Sequence, residues 1–229
     1  MKKNILLIGG SSNIGKKIIQ NLNLKKFNIY TTSNSKKVIN QKVKNFKVNL
    51  KNFEEIQNLV NNFEKKKIKF DYIIFLQGII YSIDLSNYDE KRILDVFTVN
   101  TLSVISFSKE IVKVLKKNSL NVFVSSISGH NGSYDPIYAA SKSALHGFTK
   151  SLSKWMAPKH RFICLCPGPI KNTSLFKNFS KKRQIFHSKN NPMNELISSS
   201  DFAKILIDVL EPHWKHANGS IININGGVY

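Results

Sequence analysis

The chain alternates short apolar runs with amphipathic stretches from end to end, and this alternation constrains its fold more than any other feature. Apolar runs at about 4–8, 28–32, 46–49, 72–76, 121–125, 162–166 and 220–224 have the length of strands. Helical patterns fall between them, near 14–23, 53–65, 88–117, 136–156 and 201–210. Strands joined through helices pair in parallel, and the helices then cover both faces of the sheet. The expectation is an α/β, doubly wound fold whose mostly parallel sheet has about seven strands. With 229 residues and 41% hydrophobic content, the chain can bury such a core as a single domain, 1–229, and no linker or repeat divides it.

The first apolar run, Asn4–Ile8, closes on Gly9-Gly-Ser-Ser-Asn-Ile-Gly15 and opens into the helical Lys16–Leu22. Strand, tight turn and helix follow one another, the opening of a Rossmann-type unit. Gly9 permits the sharp turn and Gly15 lets the helix sit close to the sheet. The first helical turn then offers unpaired N–H groups and a positive dipole end to a pyrophosphate. Ser11, Ser12 and Ile14 share the turn, and Asn13 stands where a further glycine would serve, a position Asn tolerates better than most residues. The same residues could form an ordinary strand-to-helix loop; their place on the first strand favours the dinucleotide reading.

Downstream, Asn121–Gly129 reads as a buried strand ending in Ser125, Ser126 and Ser128. Ligand-binding groups of open parallel sheets sit at such carboxyl ends, although these hydroxyls could also cap the next turn. Tyr138 and Lys142 follow, four residues apart on a predicted helix and therefore on one face. A free phenol titrates near pH 10. A cation at ~4 Å, with an effective dielectric near 20, contributes about 4 kcal/mol, enough to make Tyr138 a general acid/base at neutral pH. Taken alone the pair would be a partly buried surface contact; the glycine turn and the serines change that reading.

These segments resemble the short-chain dehydrogenase/reductase family in its compact form, along nearly the whole chain. The likeness extends to Phe97-Thr-Val-Asn100, Tyr138-Ala-Ala-Ser-Lys142, Cys166-Pro-Gly-Pro-Ile170 and Gly219-Ser-Ile-Ile-Asn-Ile-Asn-Gly-Gly227. It implies that Tyr138 donates a proton to a substrate carbonyl while a nicotinamide delivers hydride. Ser126 would hydrogen-bond the substrate oxygen, with Ser125 in that place if the register slips. Lys142 would bind the nicotinamide ribose and lower the pKa of Tyr138, and Asn100 would hold a water on a proton relay. Gly9, Ser11, Ser12, Asn13, Ile14 and Gly15 would cradle the dinucleotide. Pro167 and Gly168 would lie against the carboxamide, with Ile170 nearby.

Several positions depart from the family pattern. Phe75-Leu-Gln-Gly78 keeps only the last glycine of the usual Asn-Asn-Ala-Gly, and Asn49-Leu50 stands where an Asp usually meets the adenine. Asn49 retains a carbonyl acceptor there. Asn172 occupies the usual threonine position, with Thr173 one residue late, and Asn225 replaces an Asp near the end. Cofactor choice is read from the end of the second strand, Asn28–Lys37, where an acid would hold the adenosine ribose and repel a 2′-phosphate. No acid stands there; Ser33 and Asn34 can donate hydrogen bonds and Lys36 and Lys37 add positive charge. NADP(H) is therefore expected, with NAD(H) still open.

The segment 171–200 lacks clear periodicity and sits where the family places a lid, with Phe176, Phe179, Ile185 and Phe186 as lid contacts or as core of a short helix pair. Cys164 and Cys166 fall on one face of a strand and are expected as buried, reduced thiols. The six histidines show no metal-ligand spacing, so no metal is expected, and His130 is a lesser candidate for substrate contact. The formal charge of +21 comes from lysines spread along the whole length, which argues for solvated faces and an A/T-rich coding bias rather than a nucleic-acid or membrane partner. Such a field would still steer an anionic substrate, such as an acyl carrier, a coenzyme A thioester or a sugar nucleotide. The apolar run after Lys2-Lys3 stops at Gly9, too short for an export or membrane segment, and a cytoplasmic protein is expected. Two functions stay open here: an oxidoreductase acting on a small-molecule carbonyl or secondary alcohol, and a dinucleotide-binding sensor or scaffold without turnover. The resemblance also implies a homodimer or homotetramer formed through the helices at 88–117 and 136–156, where Ile93, Val96, Ile111 and Leu115 could serve the interface or the core.

Overall fold

The computed structural model of the chain describes residues 1–34 and 42–228. Seven strands form one sheet, β1 (Lys3–Ile8), β2 (Phe27–Ser33), β3 (Val43–Lys47), β4 (Phe70–Phe75), β5 (Leu115–Val124), β6 (His160–Pro167) and β7 (Ile221–Ile224). Their order is β3-β2-β1-β4-β5-β6-β7 and every neighbouring pair is parallel. The helices are α1 (Asn13–Asn21), α2 (Phe53–Lys65), α3 (Glu90–Phe97), α4 (Ser103–Ile111), α5 (Ser128–Asn131), α6 (Pro136–Trp155), α7 (Ser174–Lys177), α8 (Lys181–Lys189) and α9 (Ser199–Asp208). The doubly wound architecture expected from the alternation is present.

Strand periodicity sorts the core into two layers. Leu6 and Ile8 of β1, Phe123 of β5 and Phe162 of β6 face one layer with Ile56 and Phe63 of α2, Phe107 of α4 and Leu145 and Leu152 of α6. Ile5 and Leu7, Val122 and Val124, and Ile163 and Leu165 face the other, with Ile18 and Ile19 of α1 and Phe202 and Leu206 of α9. Strands apolar on both sides are what a sheet covered on both faces requires. Connections leave β1 toward β2 on one side and return through β4 on the other, so a crevice opens at the carboxyl ends of β1 and β4.

The predicted helix over 88–117 is instead α3, a π turn at Thr98–Leu102, α4 and a 3-10 turn at Val112–Val114. The residues from Leu115 onward belong to β5, which begins six residues earlier than the apolar run suggests. Leu115 pairs with Phe70 and Leu120 with Tyr72, and the polar residues between them are absorbed in a bulge containing Asn118 at φ 66°. Pairing with a distant strand overrides the local helical pattern of Lys116 and Lys117. Val96, Ile111 and Leu115 are buried in this chain, and the apolar side chains left exposed on α3, the π turn and α4 are Leu94, Leu102 and Ile105.

Candidate active site

The turn after β1 is built as its residues dictate. Gly9 takes φ +86°, Ser12 caps α1 by accepting the Gly15 N–H at 3.0 Å, and a Cβ on Gly15 would stand 2.6 Å from the backbone of Gly10. Only glycine permits that approach of helix to turn. Asn13 opens α1, and its side-chain carbonyl accepts the N–H of Ser174 at 3.1 Å.

A cavity of about 430 Å³ lies over the carboxyl ends of β1, β4, β5 and β6. Ser12, Asn13, Ile14, Gln77, Gly78, Lys142, Pro167, Gly168 and Ile170 line it. Ser126, Tyr138, Phe176, Phe179 and Arg183 line the same cavity. Ser33, Asn34, Asn49 and Leu50 stand outside it. Ser33 is buried and its hydroxyl donates to Asn45 Oδ1 at 3.2 Å, and the Asn49 carbonyl accepts the Lys51 N–H at 3.1 Å. Leu50 packs on the core. Lys36 and Lys37 lie outside the described residues.

Asp135 is almost fully buried and caps α6 by accepting the Tyr138 N–H at 2.9 Å. Its carboxylate also accepts the Ser82 N–H at 2.9 Å and the Tyr88 hydroxyl at 2.7 Å. The same cap therefore holds α6 and the loop after β4. Burial pushes the Tyr138 phenol up to about 12; hydrogen bonding with Ser126 acts in the lowering direction, and the charge of Asp135 adds to the rise. The expected depression by Lys142 is thus corrected. The Lys142 ammonium donates to the carbonyls of Val124 at 2.9 Å and Gln77 at 3.2 Å, and burial brings it down to about 8. Burial is the largest cause of the phenol's shift, and the Lys142 ammonium is not among the charges that act on it.

The two serines divide. Ser126 is the hydroxyl that meets Tyr138, and it accepts the Ser128 N–H at 3.1 Å. Ser125 Oγ donates to the Lys142 carbonyl at 2.8 Å and lies 3.0 Å from His146 Nε2. Asn100 is wholly buried rather than solvent-facing, because the π turn rotates it inward. Its amide donates to the Ile79 carbonyl and to Ser141 Oγ, each at 3.0 Å, and its carbonyl accepts the Ile79 N–H at 2.8 Å. Gly78 sits between these groups: a Cβ there would be 3.2 Å from Lys142 Nζ and 3.7 Å from Asn100 Oδ1.

Asp135 and Arg183 line the cavity without having stood out in the sequence, and Gln77 and Asn172 act in ways it did not indicate. Gln77 helps line the cavity, its amide nitrogen donates to Ser103 Oγ at 3.4 Å, and its buried Oε1 has no hydrogen-bond partner among the described residues. Asn172 takes φ +67°, and this left-handed residue absorbs the one-residue offset so that Thr173 lines the cavity. In the lid segment, Phe176 and Phe179 reach the cavity, whereas Ile185 and Phe186 are more than half exposed. Arg183 donates to the Ser82 carbonyl at 3.1 Å and lies over the Tyr134 ring. The thiols of Cys164 and Cys166 are free and buried, 3.9 Å apart. His130 turns toward His146, with ring centroids 4.3 Å apart, so the fold gathers histidines that look scattered along the chain. A dinucleotide fits these residues: Gly9 and Gly15 keep the turn free of side chains where a pyrophosphate would approach, and Ser12, Asn13 and Ile14 of that turn line the cavity.

The order of strands, the glycine turn and the tyrosine, serine and lysine over the β5 and β6 ends define a nicotinamide-dependent oxidoreductase class, and the family described as short chain dehydrogenase matches residues 3–184. The chain belongs to the short-chain dehydrogenase/reductase family. It is 30% identical over 239 residues to the 3-oxoacyl-(acyl-carrier-protein) reductase FabG of Buchnera aphidicola subsp. Schizaphis graminum, with 100% of this chain and 98% of that protein covered. A solved short chain dehydrogenase family protein from Francisella tularensis superposes with TM-score 0.90 at 26% identity, covering 99% of this chain and 98% of that one. BdcA, solved in complex with NADPH, shares the fold with TM-score 0.87 at 20% identity, covering 98% and 93% of the two chains. No helix among the described residues is long and apolar enough to cross a membrane.

Proposed function

We propose that the protein reduces the 3-oxo group of an acyl thioester held on an acidic carrier, with NADPH as reductant. One observation carries the reading: Ser126, Tyr138 and Lys142 line a single cavity together with Ser12, Asn13 and Ile14 of the glycine turn. A bound dinucleotide supplies the hydride. Tyr138, protonated at neutral pH, gives its proton to the carbonyl oxygen as that oxygen becomes an alkoxide. Ser126 donates a hydrogen bond to the same oxygen, where charge develops. Lys142 stays mostly charged at pH 7, and its ammonium stabilises the phenolate left behind. Asn100, anchored to Ile79, borders Lys142 across Gly78 and holds the water through which the proton is replaced.

The substrate class rests on the cavity and its rim. Phe176, Phe179 and Ile80 give an apolar wall for an acyl chain, and Arg183 stands at the same mouth beside Lys181 and Lys182 of α8. The net charge of +21 favours encounter with a polyanionic carrier. The FabG reductase of Buchnera matches over the whole chain, which supports the same class. The NADP(H) preference rests on the missing acid at the end of β2.

The test follows oxidation of NADPH and NADH with 3-oxoacyl thioesters free and on a carrier protein. The expected result is turnover with NADPH that falls by about 10²–10⁴ in Tyr138→Phe. Undiminished turnover in that variant overturns the role of the tyrosine, and a clear preference for NADH overturns the cofactor choice. A rate with the carrier-bound substrate that does not depend on ionic strength removes the steering.

A further inference from the structure

Behind the serines of the cavity, three elements bring nitrogen and sulfur ligands together. His130 lies on α5, His146 on α6 one turn beyond Lys142, and Cys166 at the end of β6 just before Pro167 and Gly168. One ligand atom from each lies within 4.8 Å of the other two. Cys166 Sγ is 3.3 Å from His146 Nε2, which is 3.0 Å from Ser125 Oγ. Close packing of α5 on α6 creates the cluster: a Cβ on Gly129 would meet His146 Cε1 and the Ser143 nitrogen at 2.9 Å each, so glycine at 129 is what lets His130 reach His146.

We propose that His130, His146 and Cys166 form a binding site for a thiophilic divalent cation of the zinc class. Zinc takes thiolate at about 2.3 Å and imidazole at about 2.0–2.1 Å, so a tetrahedral site separates sulfur from nitrogen by roughly 3.5 Å. The Cys166–His146 distance is close to that spacing, and His130, whose ligand atom lies within 4.8 Å of both, completes the set by a side-chain adjustment. Cys166 gives up its thiol proton to solvent as the sulfur binds the metal. The fourth position falls to the Ser125 hydroxyl or to water, and the exposed His130 is the entry side.

The chemistry of the ligands selects the cation. Lys142 and Lys150 lie near the cluster and oppose positive charge. A thiolate cancels one unit of the cation's charge, which zinc exploits and the oxygen-seeking magnesium and calcium do not. A bound cation would tie α5, α6 and β6, the elements that flank Ser126, carry Tyr138 and Lys142 and precede Gly168. The site is independent of the proposed reaction, because none of its three ligands is assigned a catalytic step.

The experiment uses the full, untagged chain with the metal alone. Co²⁺ is titrated first, and a thiolate ligand gives a near-ultraviolet charge-transfer band that Zn²⁺ then removes. One equivalent is expected, and Zn²⁺ should raise the Tm of the chain by mass action. His130→Ala, at an exposed position, should weaken Zn²⁺ binding at least about tenfold, and Cys166→Ser should abolish the charge-transfer band. Absence of the band in the unaltered chain, or Zn²⁺ affinity unchanged in His130→Ala, overturns the proposal. Should Cys166→Ser fail to fold, the His130 variant and the cobalt spectrum decide the matter alone.

Discussion

The side-chain carbonyl of Asn13 accepts the backbone N–H of Ser174 at 3.1 Å, joining two points 161 residues apart. Asn13 belongs to the turn that would hold the pyrophosphate, and Ser174 opens the first helix of the segment over the cavity. One exposed hydrogen bond therefore couples the dinucleotide cradle to its cover. A contact of this kind contributes about 0.5–1.5 kcal/mol. Asn13→Ala should weaken NADPH binding by roughly two- to tenfold with little loss of thermal stability, read by fluorescence titration beside a melting curve. Unchanged affinity would show that cover and cradle act separately.

Gly78→Ala tests the space between Lys142 and Asn100. The added methyl would stand 3.2 Å from the lysine nitrogen, and the long side chain would have to give way. The expected outcome is at least about a tenfold loss of kcat, since the ammonium moves from its place on the Gln77 and Val124 carbonyls in the cavity. The Tm should shift by only a few degrees, because the flexible end of a side chain yields more easily than backbone. Steady-state kinetics and calorimetry on the same preparation separate the two effects.

The pH dependence of the reduction follows from Lys142. Its ammonium loses its proton near pH 8, and a neutral amine cannot stabilise a phenolate. kcat/KM for reduction in the free enzyme should therefore hold to about pH 8 and decline above it. A profile flat to pH 10 contradicts this role.

The same burial affects stability, with a definite sign. Lys142 titrates near 8 in the folded chain against 10.5 unfolded, so at neutral pH the unfolded state holds the proton more readily. Charged Lys142 costs about 3 kcal/mol below pH 8, and the cost vanishes as pH rises toward the unfolded value. Lys142→Met should accordingly be more stable than the unaltered chain at pH 7, with the gap closing by about pH 10.5. Urea midpoints of both proteins across that range give the answer, and a constant gap would mean the ammonium is not desolvated.

Asp135→Asn removes a buried negative charge while keeping an acceptor for the Tyr138 N–H. The Tyr138 phenol, which the carboxylate helps to raise, should then titrate at lower pH. Loss of charge-assisted bonds to Ser82 and Tyr88 should cost about 1–3 kcal/mol. Ultraviolet titration of the tyrosines and chemical denaturation read the two consequences.

What the chain declares about itself is what short-range pattern can encode. Apolar runs of strand length between helical stretches imply a parallel sheet covered on both faces, and the Gly9–Gly15 turn and the four-residue spacing of Tyr138 and Lys142 are local geometry. Folding adds to these without changing them. Choices that depend on distant partners are absent from that pattern. β5 starts at Leu115 because Phe70 is there to pair with it. Ser126 rather than Ser125 meets Tyr138, because Ser125 is taken by the Lys142 carbonyl and His146. Asn100 turns inward because a π turn rotates it, Asp135 joins two segments, and His130, His146 and Cys166 meet only when α5 lies on α6. The direction of the Tyr138 shift also belongs to the folded protein. A cation four residues away can be read from the order of residues, but the desolvation that raises the phenol arises only when the surrounding elements close over it.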